Sequence, residues 1–174
     1  YFSTHDIPEK PELLEEVWNI YQLPEREYQY VAIALLSKKL KTLFVDDLGF
    51  IEKLITEKSW WDSVDSIAPT IVGDIVKRDR KNGEKVMLQW SDSDNMWLNR
   101  AAILHQLKYK KDTDEKVLIE IIIKHKNSNE FFIQKAIGWV LREYAKTNPV
   151  FVQQFVASHE LKPLSKREAL KHLK

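Results

Sequence analysis

Apolar residues recur every three or four positions along nearly the whole chain, the spacing of helices that bury one face. Pro11 to Leu23 carries Leu14, Val17, Trp18 and Tyr21 on one stripe, with Pro11 at the first helical position. Pro24 opens a second helix through Tyr28, Val31, Ala32, Leu35 and Leu36 to about Lys41. Asp46 or Asp47 can cap a short helix through Leu48, Ile51, Leu54 and Ile55. Ser59 is placed to cap a long segment, Trp60 to Arg78, and Lys81-Asn82-Gly83 reads as a loop. Glu84 to Trp90 is a short helix. The cluster Asp92-Ser93-Asp94-Asn95 caps Met96 to Tyr109, and Thr113-Asp114 caps Glu115 to Lys126. Asn127-Ser128-Asn129 caps Glu130 to Lys146, Asn148-Pro149 opens Val150 to Ser158, and Ser165 caps a last helix. Ile119 to Ile123 has β-branched bulk, but its flanking charges and the Ile119/Ile122/Ile123 spacing favour helix. The pattern predicts an all-α chain built from helix pairs.

The pairs repeat. Trp61, Met96 and Phe131 are spaced by 35, as are Asp65, Arg100 and Lys135, and one more step back reaches Tyr30. A helix-pair period in this range marks an α-solenoid, slightly shorter than the ~40 residues of HEAT and armadillo repeats. Stacked pairs curve, and their inner helices line a concave groove. Asp65 and Arg100 then lie side by side in that groove, one repeat apart. The 174 residues form one domain, 1–174, uninterrupted by low-complexity sequence or a flexible linker. The chain starts at Tyr1, so further N-terminal helices are expected to precede it.

Composition narrows the chemistry. A hydrophobic share of 44% with 30% charged residues fits a globular chain with one core, and four glycines are too few for a turn-rich all-β fold. The absence of cysteine removes disulfides and thiolate metal sites and fits a cytoplasmic location. No apolar run approaches the ~20 residues that span a bilayer, and no signal peptide is visible. The five histidines lack paired metal spacing, and the Asp-Ser-Asp and Asp-Thr-Asp clusters lack the glycine and distal Glu of a calcium loop. No glycine-rich phosphate loop is present, so neither a metal nor a cofactor is expected. Residues 1–87 hold 12 Lys and Arg against 16 Asp and Glu; residues 88–174 hold 15 against 10. The C-terminal half is therefore the better surface for a polyanion.

The tryptophans and carboxylates are the candidate chemistry. Ser59-Trp60-Trp61-Asp62-Ser63-Val64-Asp65 packs two indoles and two carboxylates into seven positions. Trp60 and Trp61 point ~100° apart on a helix, so one packs and the other, Trp61, shares a face with Asp65. An aromatic face beside a carboxylate is suited to a cation. Trp139 follows Gly138, which opens space beside the ring, and Arg142 shares its face. Trp18, Trp90 and Trp97 read as core. Asp65 is equally suited to an ion pair with Arg100, and the two readings are compatible, because an arginine can orient a carboxylate and reach a phosphate. Arg142 could equally be a surface charge beside Glu143.

Three segments carry a family resemblance: Ser59 to Asp65, Asn95 to Ile103, and Glu130 to Tyr144, with the tail Leu164 to Ala169. From about Pro24 onward the chain resembles the AlkD-type DNA alkylation repair glycosylases. The resemblance implies a superhelix of HEAT-like repeats around duplex DNA and excision of N3- and N7-alkylated purines. It implies Asp65, Trp61 and Trp139 as catalytic residues and Arg100 and Arg142 as groove arginines. With Lys108, these arginines are expected to hold backbone phosphates. It also implies attack at the sugar without a base-binding pocket. The expected partner is double-stranded DNA with alkylated purines, bound by a monomer. A non-catalytic α-solenoid that grips nucleic acid or a protein is the alternative reading.

Overall fold

Four helices begin at the same point of a 35-residue cycle, at Arg26, Trp61, Met96 and Phe131. The computed structural model describes residues 7–173. Within them the helices are α1 (Glu12–Tyr21), α2 (Arg26–Lys38), α3 (Leu48–Thr56), α4 (Trp61–Ile67), α5 (Gly73–Arg78), α6 (Arg80–Ser91), α7 (Met96–Leu104), α8 (Glu115–His125), α9 (Phe131–Ala145), α10 (Pro149–Ser158) and α11 (Pro163–Ala169). No strand occurs among the described residues, and no helix there is long and apolar enough to cross a membrane.

The helices stack in two rows. One row runs α2, α4, α7, α9, α11, each packed on the next; the other contains α1, α3, α6, α8 and α10. The core lies between the rows, where Leu36, Leu54, Ile55, Ile71, Ala101, Leu104, Ile137 and Leu141 are fully shielded from solvent. The α-solenoid expected from the repeat is the observed architecture. Its period also appears in the bonds between neighbouring repeats. Tyr21 Oη donates to the Leu54 carbonyl at 2.7 Å, Trp90 Nε1 to Glu52 at 2.9 Å, and Tyr109 Oη to the Gly73 carbonyl at 2.6 Å. Each joins residues 33 to 38 apart, so these bonds tie one repeat to the next.

Side-chain caps explain four of the eleven described helix starts, those of α6, α7, α8 and α10. Asn95 accepts from the Trp97 N–H at 2.9 Å, Asp114 from the Lys116 N–H at 2.9 Å and Asn148 from the Phe151 N–H at 3.2 Å. Four expectations fail. Asn127-Ser128-Asn129 does not cap α9, where Glu130 takes the cap position without a side-chain cap bond. Ser59 does not cap α4; its hydroxyl donates to the Ile55 carbonyl, and Trp60 takes the cap position in extended conformation. Ser165 is not a cap either, but lies inside α11, buried, with its hydroxyl on the Gln134 carbonyl at 3.0 Å. Lys81-Asn82-Gly83 is not a loop: Asp79 breaks the chain, accepts from the Asn82 N–H and starts α6. Gly83 then lets α6 meet α5 closely, since a Cβ there would fall 2.8 Å from Val76 Cα.

The segment read as one helix from Trp60 to Arg78 is helical throughout from Trp61, with one wider turn inside it. A π-helical turn, Ala68–Val72, joins α4 to α5 and contains Pro69. Proline has no N–H for the carbonyl four residues back, here that of Asp65, and the wider turn accommodates the ring. The turns carrying Trp61 and Asp65 thus continue into α5 through this wider turn.

Candidate functional site

The inner row builds a groove of about 290 Å³ lined by Trp61 from α4, Arg100 from α7, Phe131, Phe132, Lys135, Trp139 and Arg142 from α9, and Glu168 from α11. Trp61 is half-exposed, while Trp60 turns away into a cluster with Trp97 and Phe132, at ring-centroid distances of 6.1 and 5.6 Å. The division of labour expected for this pair holds only in part: Trp61 alone lines the groove, but Trp60 touches its cluster without being buried, at 48% exposure against 46% for Trp61. Trp97 and Phe132 lie 5.2 Å apart, which extends the cluster to the groove wall.

Asp65 sits one turn beyond Trp61 on α4. Its two oxygens accept from Nε and NH2 of Arg100 at 2.7 and 2.8 Å, a two-pronged pair across one repeat. The third guanidinium nitrogen donates to the Phe132 carbonyl, and the Arg100 side chain is only 5% exposed. The guanidinium also lies over the Phe132 ring, 5.8 Å from its centroid. Every nitrogen of Arg100 is thus engaged within the protein. Of the two compatible roles expected for it, the orienting one is built; the nitrogens are not free for a phosphate. Asp65 retains a little exposure, 14% of its side chain.

A brace holds the start of α4. Arg26 of α2 donates to Asp62 and, at 2.9 Å, to the Lys58 carbonyl; the Tyr30 hydroxyl also donates to Asp62. Burial pushes the Asp62 carboxyl up, but the bonds from Arg26, Tyr30 and its neighbour's N–H hold it below the usual carboxylate range. Lys58 Nζ in turn donates to the Gln22 and Leu23 carbonyls at 2.7 and 2.6 Å, closing the end of α1.

On the opposite wall, Arg142 donates from NH1 to Glu168 Oε2 at 2.6 Å, and Lys135 Nζ lies 3.3 Å from Glu168 Oε1. Burial works to raise the Glu168 pKa, and the two cations outweigh it to leave the acid below its ordinary range. Gly138 serves a different purpose from the one expected. It does not leave a gap beside Trp139; a Cβ there would meet Glu168 Cβ at 2.5 Å and the Ser165 carbonyl at 3.0 Å, so its bareness admits α11. Lys108 is exposed, but it borders another depression, with Asp74, Lys77 and Tyr109, that shares no residue with the groove. The structure thus gathers Trp61, Trp139, Arg100 and Arg142 around one opening, with Asp65 bound to Arg100 behind it, and leaves Lys108 apart. Lys135 was visible in sequence only as a member of the 35-residue column, and Glu168 only as part of the tail motif.

The repeated helical stack has known relatives. Residues 2–173 match a family described as DNA alkylation repair enzyme. The chain belongs to that family. A solved structure described as a predicted DNA alkylation repair enzyme from Enterococcus faecalis is 36% identical, with a TM-score of 0.90 over 95% of this chain and 78% of that one. No curated protein matches the chain. Membership of the DNA alkylation repair enzyme family suggests repair of alkylated DNA, and the shared fold extends across nearly all of the sequence.

Proposed function

We propose that this member of the family is a monofunctional DNA glycosylase that hydrolyses the N-glycosidic bond of cationic N3- and N7-alkylpurines in duplex DNA. The observation that carries the reading is a carboxylate, Asp65, held in place by both prongs of a buried arginine beside a groove walled by two tryptophans. Alkylation at N3 or N7 leaves the purine positively charged and turns it into a good leaving group. The glycosidic bond then breaks through an oxocarbenium-like state, as in sugar hydrolysis. A preorganised carboxylate stabilises that charge without rearranging as it develops. Asp65 does this and directs the attacking water. Arg100 acts as its positioning residue, because its nitrogens are spent on Asp65 and the Phe132 carbonyl. Trp61 and Trp139 bracket the deoxyribose, each contributing ~0.5–2 kcal/mol of cation–π attraction. Attack at the sugar leaves the base free of any protein pocket. Arg142 supplies a contact to the DNA backbone, and Lys108 an outlying one. The protein acts as a monomer, as a single repeat domain, and within the cytoplasm.

The experiment is base release from duplex DNA containing N7-methylguanine, followed under single-turnover conditions. Wild type releases the base and Asp65→Asn does not, while both bind the duplex. Binding without release by wild type would replace the catalytic reading with a damage-binding scaffold.

A further inference from the structure

A groove offered to a polyanion gains nothing from a bare carboxylate, yet Glu168 lines this one. Its setting accounts for it. Both its oxygens are engaged, Oε2 by Arg142 and Oε1 by Lys135, and its side chain is 14% exposed. The helix that carries it is fixed on α9: Ser165 is buried and bonded to the Gln134 carbonyl, and the Glu168 stem lies over Gly138. Lys135 and Arg142 stand three residues before and four residues after that glycine, on the same face of α9. They are seven residues apart, about 10 Å along the axis, and two free cations so placed would diverge by mutual repulsion. The carboxylate reaches between them and draws both inward.

Each cation keeps donors in reserve. Arg142 uses only NH1, so Nε and NH2 have no protein partner among the described residues; the Lys135 ammonium meets Glu168 as an ion pair at 3.3 Å. The trio carries a net charge of +1, and the Lys135 side chain remains 39% exposed. We infer that Glu168 is a positioning residue that sets Lys135 and Arg142 as a two-cation seat for one phosphate of the DNA backbone at the mouth of the groove. This rests on the proposed action on DNA and adds to it a second lysine contact and the acid that spaces the pair.

The test measures equilibrium binding, so it does not depend on excision. Wild type, Glu168→Gln, Lys135→Met and the double variant are titrated by fluorescence anisotropy against a duplex carrying a tetrahydrofuran abasic analogue, over a range of salt. Melting temperatures are recorded in parallel. Glu160→Gln, an exposed acid outside the groove lining, controls for the loss of one negative charge. Glu168→Gln is expected to weaken binding ~3–10-fold and to reduce the salt slope by about one, although it makes the protein more positive. Lys135→Met gives a similar loss with α11 undisturbed, and the double variant loses less than the two singles combined. Glu168→Gln binding as tightly as wild type, or more tightly with an unchanged slope, would show that the acid only neutralises charge and would overturn the inference. If Glu168→Gln melts early, Lys135→Met decides: unaltered affinity and slope reject the seat. Absence of salt-dependent binding by wild type sinks the action on DNA itself, and the inference with it.

Discussion

Removing the Asp65 carboxylate has separable consequences for stability and for chemistry. The Arg100 side chain is 5% exposed and gives two of its nitrogens to Asp65 at 2.7 and 2.8 Å; the remaining one goes to a carbonyl. Asp65→Ala strips both bonds and leaves a buried guanidinium without its counter-charge, a loss of ~3–5 kcal/mol. At ~2–4 °C per kcal/mol for a chain of this size, the melting temperature falls by ~6–20 °C. Asp65→Asn keeps an oxygen that can accept one of the two bonds, so the loss is about half, ~1.5–2.5 kcal/mol. Chemistry follows a different ranking, because both variants lack the negative charge: each loses ~10²–10³-fold in single-turnover base release. Calorimetry and release of N7-methylguanine, run well below the melting point of the weakest variant, measure the two effects independently. An Asp65→Ala protein that melts within about 2 °C of wild type would refute the buried pair as a structural element. An Asp65→Asn protein that excises at the wild-type rate would refute its chemical role.

Other consequences follow from single contacts. Gly138→Ala places a methyl 2.5 Å from Glu168 Cβ, so α11 must shift; a cost of ~1–3 kcal/mol in urea unfolding is expected, together with weaker DNA binding. His105 is buried, its Nε2 has no partner among the described residues, and burial holds its pKa down to about 4. The unfolded chain therefore binds the extra proton first as pH falls from 6.5 to about 4, and native stability drops by up to about 3 kcal/mol across that window. His105→Gln should flatten this dependence, and an equal slope in both proteins would count against it. Asp62 and Glu168 are both held below their ordinary pKa, so their stabilisation is full above the usual carboxylate range and disappears as pH falls through the depressed values. Asp62→Asn combined with Glu168→Gln should make acid unfolding less steep. Trp90→Phe removes the 2.9 Å bond from Nε1 to Glu52 in a half-shielded setting and should cost ~1–3 kcal/mol by thermal unfolding.

The repeat was legible because one helix face must be apolar and because the stack forces equivalent residues into register. That is why the starts of α4, α7 and α9 and the pairing of Asp65 with Arg100 could be read from spacing. What escaped depended on contacts distant in sequence or on competing local chemistry. Lys81-Asn82-Gly83 has loop composition, yet Asp79 caps it and Gly83 is needed for the approach to Val76. Pro69 fits the helical stripe but opens a wider turn. Spacing could set Arg100 beside Asp65 but not show that its third nitrogen is taken by the Phe132 carbonyl. The partnership of Glu168 with residues 26 and 33 positions earlier had no local trace, since it is created by how far α11 can sink against Gly138.

The two indoles of the groove stand on α4 and α9, with only α7 between them. Their separation is therefore governed by the pitch of the whole coil rather than by any one rotamer. A slight winding or unwinding of the spring narrows or widens the gap between the rings, while Asp65 travels with Arg100 because the two repeats are riveted together. Grip on a substrate becomes a mechanical property of the stack, and substitutions far from the rings, at the joints between successive repeats, can tune it without touching a single groove residue.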